Sequence, residues 1–132
     1  AQHTTTDIVP SLASGRNVIS NRAFYSAVAY QVYGRGRADL RPILDTVHTK
    51  LYAPCMLDLI VWLDIDPKLG LERAEKRGRM NRIDLASLEM HERVREGFRA
   101  QFEGNERVHK VDGSRSVEDI HRGILERIQT LL

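Results

Sequence analysis

The sequence has only one cysteine, Cys55, among its 132 residues, and this scarcity excludes two kinds of stabilisation. A single thiol can form neither an internal disulfide framework nor a cysteine-ligated zinc site. Long apolar runs are also absent: none approaches the roughly 18 residues of a membrane-spanning helix, and no signal-peptide pattern opens the chain. We therefore expect an intracellular, cytoplasmic protein that does not associate with a membrane.

Aromatic residues are few and the net charge is small. Phe, Trp and Tyr make up 6% of the chain, and the formal net charge is +2. A chain with so small a net charge attracts the phosphate backbone of DNA or RNA only weakly. A nucleic-acid-binding face also needs aromatic and basic side chains together, whereas Phe24, Phe98 and Phe102 fall on apolar helix stripes. The sequence therefore argues against a nucleic-acid-binding domain.

Arginine, by contrast, is abundant and supplies 16 of the 20 basic residues. Its planar guanidinium group binds phosphate through two parallel hydrogen bonds, which the ammonium group of lysine cannot do. The same bias occurs in nucleic-acid binders and in proteins from GC-rich genomes. Alone, it favours anionic ligands without identifying one.

Short apolar runs alternate with helical periodicity along the chain. The predicted strands are 17–20, 59–63 and 108–111, and the second is apolar throughout, as in strands buried on both faces of a parallel sheet. The predicted helices cover about 1–13, 24–33, 38–51, 67–77, 88–102 and 117–131. This alternation predicts a single domain of the α/β class with a parallel sheet.

The segment after the first predicted strand is the first candidate site. Asn21 and Arg22 would lie at the carboxyl edge of the sheet, where open α/β sheets bind ligands. The next helix places Ser26 and Tyr30 four residues apart on one face, with Gln31 beside them. A hydroxyl, an aromatic ring and an amide can together bind a nucleobase and its sugar. The alternative is that Tyr30 only packs and Ser26 has no role.

A basic segment is the second candidate. Five basic residues fall within ten positions around Gly78: Arg73, Lys76, Arg77, Arg79 and Arg82. A flexible cationic flap of this kind can close on phosphates and exclude water during group transfer. The alternative is a solvent-exposed helix end whose positive charges interact favourably with the helix dipole.

The turn after the last predicted strand is the third candidate. Asp112, Gly113, Ser114 and Arg115 follow that strand directly, so they would also lie at the carboxyl edge of the sheet and could touch a nucleotide. The alternative is a plain turn followed by the cap of the last helix at Ser116.

These segments, in this order, resemble bacterial thymidylate kinases over essentially all 132 residues. The matching motifs are Val18-Ile19-Ser20-Asn21-Arg22, Ala29-Tyr30-Gln31, Gly34-Arg35-Gly36, Trp62-Leu63-Asp64-Ile65-Asp66-Pro67, Gly70-Leu71-Glu72-Arg73-Ala74, Arg82-Ile83-Asp84 and His91-Glu92-Arg93-Val94-Arg95. The chain is similar to the C-terminal two-thirds of such an enzyme. The resemblance implies a P-loop nucleoside-monophosphate-kinase-like parallel sheet with flanking helices, here lacking the N-terminal strands, and a lid at about residues 73–84.

The resemblance also implies the function, which is ATP-dependent phosphorylation of dTMP to dTDP for dTTP biosynthesis. Mg²⁺ would accompany ATP, no residue of the chain is assigned as a metal ligand, and the enzyme would be a homodimer. Arg22, Arg77 and Arg82 would be catalytic, and Arg22, Ser26, Tyr30 and Gln31 would bind dTMP. The residues implied to bind ATP are Arg73, Arg77, Arg79, Arg82, Asp112, Gly113 and Ser114.

Two departures from the family pattern matter for catalysis. No Gly-x-x-x-x-Gly-Lys-Ser/Thr phosphate-binding loop occurs, and the first two strands are missing with it. We expect that the sequence is part of a longer protein, although a second chain filling the gap, or closure of the two flanking strands, would also complete the sheet. Asn21 stands where the family has an aspartate, and Asn81 where a second one usually falls. The alternative function is therefore an inactive module that binds a nucleotide or a partner protein.

Overall fold

Helices surround a small parallel sheet in the computed structural model, which describes residues 3–52, 57–78 and 80–131. Gln2, Cys55 and Arg79 lie outside the described residues. In chain order the elements are α1 (Val9–Ala13), α2 (Phe24–Ala27), α3 (Arg41–Tyr52), β1 (Ile60–Asp64), α4 (Pro67–Lys76), α5 (Leu88–Phe102), β2 (Val108–Asp112) and α6 (Val117–Gln129). A π-helical turn, Thr4–Ile8, leads into α1, the π-helix Val28–Gly34 continues α2, and the 3₁₀ turn Ala38–Leu40 precedes α3.

Strands β1 and β2 pair in parallel, which confirms the predicted α/β class with a parallel sheet. The register pairs Ile60 with Val108 at one end and Asp64 with Asp112 at the other. Four of the five residues of β1 are apolar, β2 has Val108 and Val111, and each strand ends on an aspartate. Two carboxylates therefore lie at the carboxyl edge of the sheet.

The prediction of a strand at 17–20 is wrong. Within the described part of the chain the sheet contains only β1 and β2. Ile19 is 93% exposed, and no backbone hydrogen bond joins this segment to either strand. A short β-branched run becomes a strand only where a neighbouring strand pairs with it, and none of the described strands does so. The prediction that β1 is buried on both faces is also wrong, because Leu63 is 51% exposed.

The helix starts follow the sequence closely. The carboxylate of Asp66 accepts hydrogen bonds from the amides of Lys68 and Leu69, and Pro67 occupies the first helical position of α4. Ser87 and Ser116 cap α5 and α6 in the same way. The predicted caps at Asp66 and Ser116 are thereby confirmed.

Helix α5 packs tightly against residues 24–34, which form one continuous helix from α2 and the π-helix. Gly34 and Gly97 lie at the contact: a Cβ atom would approach Val94 to 2.7 Å at Gly34 and Tyr33 to 2.8 Å at Gly97. Arg93 on α5 donates two hydrogen bonds, of 3.2 and 2.9 Å, to the carbonyl of Gly34. Glycine is thus required for close approach of the two helices.

Helix α5 also contacts the sheet. The ring of Phe102 meets Trp62 of β1 edge to face, with centroids 5.5 Å apart, and Phe102 is buried. Helix α5 therefore joins the 24–34 helix to the sheet. None of the described helices combines the length and apolar character that crossing a membrane requires.

Replacing Gly97 with alanine should destabilise the protein. The new methyl group would overlap three atoms of Tyr33, and such overpacking costs about 1–3 kcal/mol, more than the gain in helix propensity of about 1 kcal/mol. Urea unfolding should show a loss of free energy of unfolding of about 1 kcal/mol or more.

Gly123→Ala is the matched control, because Gly123 lies inside α6 and a Cβ there would touch nothing within 4 Å. This variant should gain about 0.5–1 kcal/mol from helix propensity. Equal effects of the two substitutions would contradict the close packing of Gly97 against Tyr33.

Candidate functional site

Asp64 is the centre of the interactions at the carboxyl edge of the sheet. Its side chain is buried and accepts hydrogen bonds from Arg95 Nε at 2.6 Å and Arg95 Nη2 at 3.2 Å. Lys110 Nζ lies 2.9 Å from the same carboxylate, so one residue of β1 is linked to both α5 and β2. Arg95 also lies 3.6 Å from Asp66 at the start of α4.

These charges fix the protonation state of Asp64. The hydrogen bonds from Arg95 hold the pKa of the carboxyl below its ordinary value, burial acts in the opposite direction, and Lys110 lowers the pKa further. Asp64 in turn raises the pKa of Arg95. A carboxylate this well neutralised is a poor proton acceptor, so its role is to hold α5 and β2 in place.

The sequence analysis did not single out this cluster, although a signal was present. A carboxylate that ends an apolar strand must be neutralised if it is buried. The sequence does not say which cation does so, because Arg95 is 31 residues away and many other arginines are available.

The loop after β2 folds as a turn stabilised by its own side chains. Asp112 accepts hydrogen bonds from the amide of Ser114 at 2.9 Å and from its hydroxyl at 2.6 Å, and these bonds lower the pKa of Asp112. The amide of Gly113 donates to the carbonyl of Asp64 at 2.8 Å. A Cβ at position 113 would lie 3.1 Å from Ile65, so glycine lets the loop sit directly against the end of β1.

Arg73 joins the second and third candidate segments. It lies one turn before the end of α4, and its Nη1 donates to the carbonyl of Gly113 at 2.7 Å. Its Nη2 donates to the carbonyl of Ser114 at 2.6 Å. Both ends of the guanidinium group are therefore bound to the loop after β2.

Arg22 and Tyr30 lie together in the first candidate segment. Among the described non-glycine residues, Arg22 alone has a positive φ, 75°, and the hydroxyl of Ser20 donates to its carbonyl at 2.8 Å. The guanidinium carbon of Arg22 lies 5.3 Å from the centre of the Tyr30 ring. That ring is half-buried and meets Phe98 of α5 edge to face.

Gln31 and Ser26 lie on the same helix, which departs from ordinary α geometry. The amide of Arg35 bonds to the carbonyl of Tyr30, five residues earlier, as in a π-helix. Arg35 also donates to the side-chain oxygen of Gln31 at 3.0 Å. Ser26 is half-buried, one turn before Tyr30. The sequence analysis assumed α-helical spacing and did not predict the π-helix.

Arg77 and Arg82, in the second candidate segment, are exposed. Among the described residues, Arg77 and Arg82 donate no side-chain hydrogen bond and form no ion pair. The turn at 81–84, which contains Arg82, is ordered by Asn81, whose side-chain oxygen accepts from the amides of Ile83 and Asp84. Arg79, which the sequence also placed in this group, lies outside the described residues.

The structure thus forms two separate groups from the candidate residues. One contains Arg22 with Tyr30, and Gln31 with Arg35; the other contains Arg73 with the loop at 112–114. Among the described side chains, no hydrogen bond, ion pair or ring contact joins one group to the other, and α5 contacts both the 24–34 helix and the sheet. No three His, Cys, Asp or Glu side chains of the described residues are grouped in a way that could hold a metal ion.

Comparison with known proteins gives consistent matches. The family model for thymidylate kinase matches residues 1–124. The thymidylate kinase of Shewanella amazonensis is 38% identical over 132 residues, which are 100% of this chain and 62% of that protein. The thymidylate kinase of Francisella philomiragia is 37% identical over 123 residues, which are 93% of this chain and 59% of that protein. The chain therefore spans about three-fifths of the length of the curated relatives it matches.

Replacing Asp64 with asparagine should destabilise the protein in a pH-dependent way. Removing one partner of a buried ion pair leaves the other charge uncompensated, so we expect a loss of about 2–3 kcal/mol at pH 7. The pKa of Asp64 is lower in the folded chain than its unfolded value of about 3.9, so this stabilisation is complete well above that pH and is lost as the pH falls below it.

Urea unfolding of the unsubstituted protein and of Asp64→Asn between pH 7 and pH 3 checks this expectation. The difference between their free energies of unfolding should become smaller as the pH falls. Asp39→Asn is the control, because the Arg37–Asp39 pair is exposed and should contribute almost nothing to the free energy of unfolding. A difference for Asp64→Asn that stays constant with pH would rule out the ion pair as its cause.

Proposed function

We propose that this chain, which belongs to the thymidylate kinase family, provides the dTMP-binding helix, the lid and the adenine-side loop of an enzyme that phosphorylates dTMP with ATP. The family match covers residues 1–124 of the 132. The observation that carries the proposal is the contact of Arg22 with the ring of Tyr30, which neighbours Gln31 in the helix that packs against α5. These groups suit the phosphate, sugar and base of one nucleotide.

Arg22 is the proposed ligand of the dTMP phosphate. Its guanidinium group is exposed and donates no hydrogen bond to a described residue, while the ring of Tyr30 supports it from one side. A positive φ is costly for arginine, and such strain is typical of residues whose position matters more than their stability. A guanidinium group held in advance can bind phosphate through two hydrogen bonds and orient it for transfer.

Gln31 is the proposed reader of the base. Arginine can only donate hydrogen bonds, so the atom that Arg35 binds must be the side-chain oxygen of Gln31. The side-chain nitrogen of Gln31 keeps its two hydrogens for a ligand. It can therefore donate to a pyrimidine with a carbonyl at position 4, such as thymine, and it cannot pair with the amino group of cytosine. Ser26 and Tyr30 are proposed to lie beside the base and the sugar.

Arg77, Arg79 and Arg82 are the proposed contacts to the phosphates of ATP. Arg77 and Arg82 are exposed and have no anionic partner among the described residues, so their charges are available to a ligand. Phosphoryl transfer depends mainly on positioning and on neutralising the charge of the transferred group. We propose Arg22, Arg77 and Arg82 as the catalytic arginines, and the loop at 112–114 as the flank of the adenine.

The described residues do not fit a magnesium site of their own. Asn21, where an aspartate would offer a carboxylate, has only an amide, and the carboxylate of Asp64 is bound to Arg95 and Lys110. Magnesium is accordingly proposed only as part of the ATP complex that the enzyme binds as substrate.

A second candidate function is an inactive module that binds dTMP without transferring phosphate. It is favoured by Asn21, which has an amide where the family has an aspartate. A homodimer is proposed for either function. Ile43 and Val47, one turn apart on α3, are 60% and 42% exposed and would add apolar surface to such an interface.

Replacing Arg22 with glycine should separate function from stability. Glycine adopts the positive φ without strain, so the free energy of unfolding should stay unchanged or rise. Loss of a charged hydrogen-bond donor should weaken dTMP binding by about 10- to 100-fold and reduce dTMP-dependent release of ADP from ATP and magnesium. Calorimetric titration and a coupled ADP assay, both on the complete product of the gene, measure the two effects.

Arg16→Gly is the control, because Arg16 is equally exposed and carries the same charge. It should bind dTMP normally. Normal binding by Arg22→Gly would show that Arg22 is not the phosphate ligand. Tight binding of dTMP by the unsubstituted protein without any ADP release would favour the second candidate function.

Replacing Gln31 with glutamate should alter base preference. The carboxylate can still pair with Arg35 but has no hydrogen to donate to the carbonyl of thymine. We expect dTMP affinity to fall by about tenfold and dCMP affinity to rise relative to it, since the amino group of cytosine can donate to a carboxylate.

Equilibrium titrations with both nucleotides test the effect on base preference. Glu72→Gln, which makes the reverse change of charge at an exposed helical position, is the control and should leave the ratio of the two affinities unchanged. An unchanged ratio of the dTMP and dCMP affinities in Gln31→Glu would exclude Gln31 from base recognition.

A further inference from the structure

Two short hydrogen bonds link segments that are far apart in the sequence. Arg73 donates at 2.7 Å to the carbonyl of Gly113 and at 2.6 Å to that of Ser114, which lie 40 and 41 residues further along the chain. Charged donors of this length form the stronger class of protein hydrogen bond. Two adjacent carbonyls on one guanidinium group also fix the orientation of the peptide unit between them.

The rest of the loop is held by hydrogen bonds to the end of β1 and within the loop itself. The amide of Gly113 donates to Asp64, and the amide and hydroxyl of Ser114 both donate to Asp112. Without Arg73, the carbonyls of Gly113 and Ser114 would have no donor among the described residues. Arg73 is therefore the contact that ties this loop to α4.

The position of Arg73 on α4 connects the loop to the predicted lid. Helix α4 ends at Lys76, and Arg77 and Gly78 follow in a turn that Gly78 closes with a φ of 66°. Arg73 lies in the last turn of α4, at the root of residues 77–84. The loop and the root of the lid thus share one side chain.

We propose that Arg73 is a positioning residue that orders the loop at 112–115 for the purine of ATP and couples that loop to the lid, without itself binding a phosphate. This inference rests on the proposed function, because it takes ATP as the ligand beside the loop. It differs from the role that the sequence implied for Arg73, since both terminal nitrogens of the guanidinium group donate to carbonyls of the loop. The exposed Arg77 and Arg82 remain for the phosphates.

The first test needs no nucleotide. In Arg73→Ala, hydrogen exchange at the amides of Gly113 and Ser114 should be about tenfold faster than in the unsubstituted protein, because the loop loses its tether to α4. In Arg73→Lys, the exchange rate should lie between those of Arg73→Ala and the unsubstituted protein, since an ammonium group can donate to one carbonyl at a time. Lys76→Ala is the control: Lys76 is exposed on the same helix, donates no side-chain hydrogen bond to a described residue, and should leave exchange unchanged.

The second test separates positioning from direct phosphate binding. The complete gene product is titrated with ATP, adenosine and dTMP. Arg73→Ala should lower the affinities for ATP and for adenosine by the same factor, about fivefold, and should change the affinity for dTMP by less than about twofold. A loss of affinity for ATP with adenosine unchanged would make Arg73 a phosphate ligand and overturn the proposal.

The remaining outcomes distinguish this proposal from the proposed function. Unchanged exchange in Arg73→Ala, or faster exchange with normal ATP affinity, would remove the positioning role and leave the kinase proposal standing. Failure of the unsubstituted protein to bind ATP would overturn the proposed function, and the role of Arg73 towards the purine with it.

Discussion

The neutralisation of one buried carboxylate determines how the parts of this structure fit together. Asp64 ends β1 below the surface, and a charge in that position must be paired. Arg95 of α5 and Lys110 of β2 provide the pairing, so a single side chain fixes the helix and the neighbouring strand against β1. The carbonyl of Asp64 also receives the amide of Gly113, which starts the loop after β2 directly at the sheet.

The placement of α5 then sets the position of the 24–34 helix. Close approach at Gly34 and Gly97 leaves no room for another side chain, and the bonds from Arg93 to Gly34 fix the end of the 24–34 helix. Tyr30 reaches Phe98 on the same face of α5. The two candidate groups share no contact of their own. They are related through α5, which packs against the 24–34 helix and is bound to the edge of the sheet by the ion pair of Arg95 with Asp64. Tyr30 of that helix in turn contacts Arg22.

The sequence predicted the local features of this fold and missed those that depend on distant partners. Asp66 and Ser116 cap their helices through amides two or three residues away, so the pattern of nearby residues was sufficient. Val18 and Ile19 gave residues 17–20 a β-branched pattern, but a strand also needs a neighbouring strand to pair with, and the pattern does not supply one. The pairing of Asp64 with Arg95 and that of Arg73 with Gly113 span 31 and 40 residues, so periodicity could not reveal them.

The same limit applies to the arginines, whose abundance was the first sign of an anionic ligand. The structure divides them by what their guanidinium groups already bind. Arg73, Arg93 and Arg95 are engaged by carbonyl or carboxylate oxygens, and they hold the loop, the 24–34 helix and the sheet in place. Arg22, Arg77 and Arg82 remain exposed and unpaired among the described residues. A phosphate needs donors that are free but already in position, so the engaged arginines form the frame from which the free ones can act.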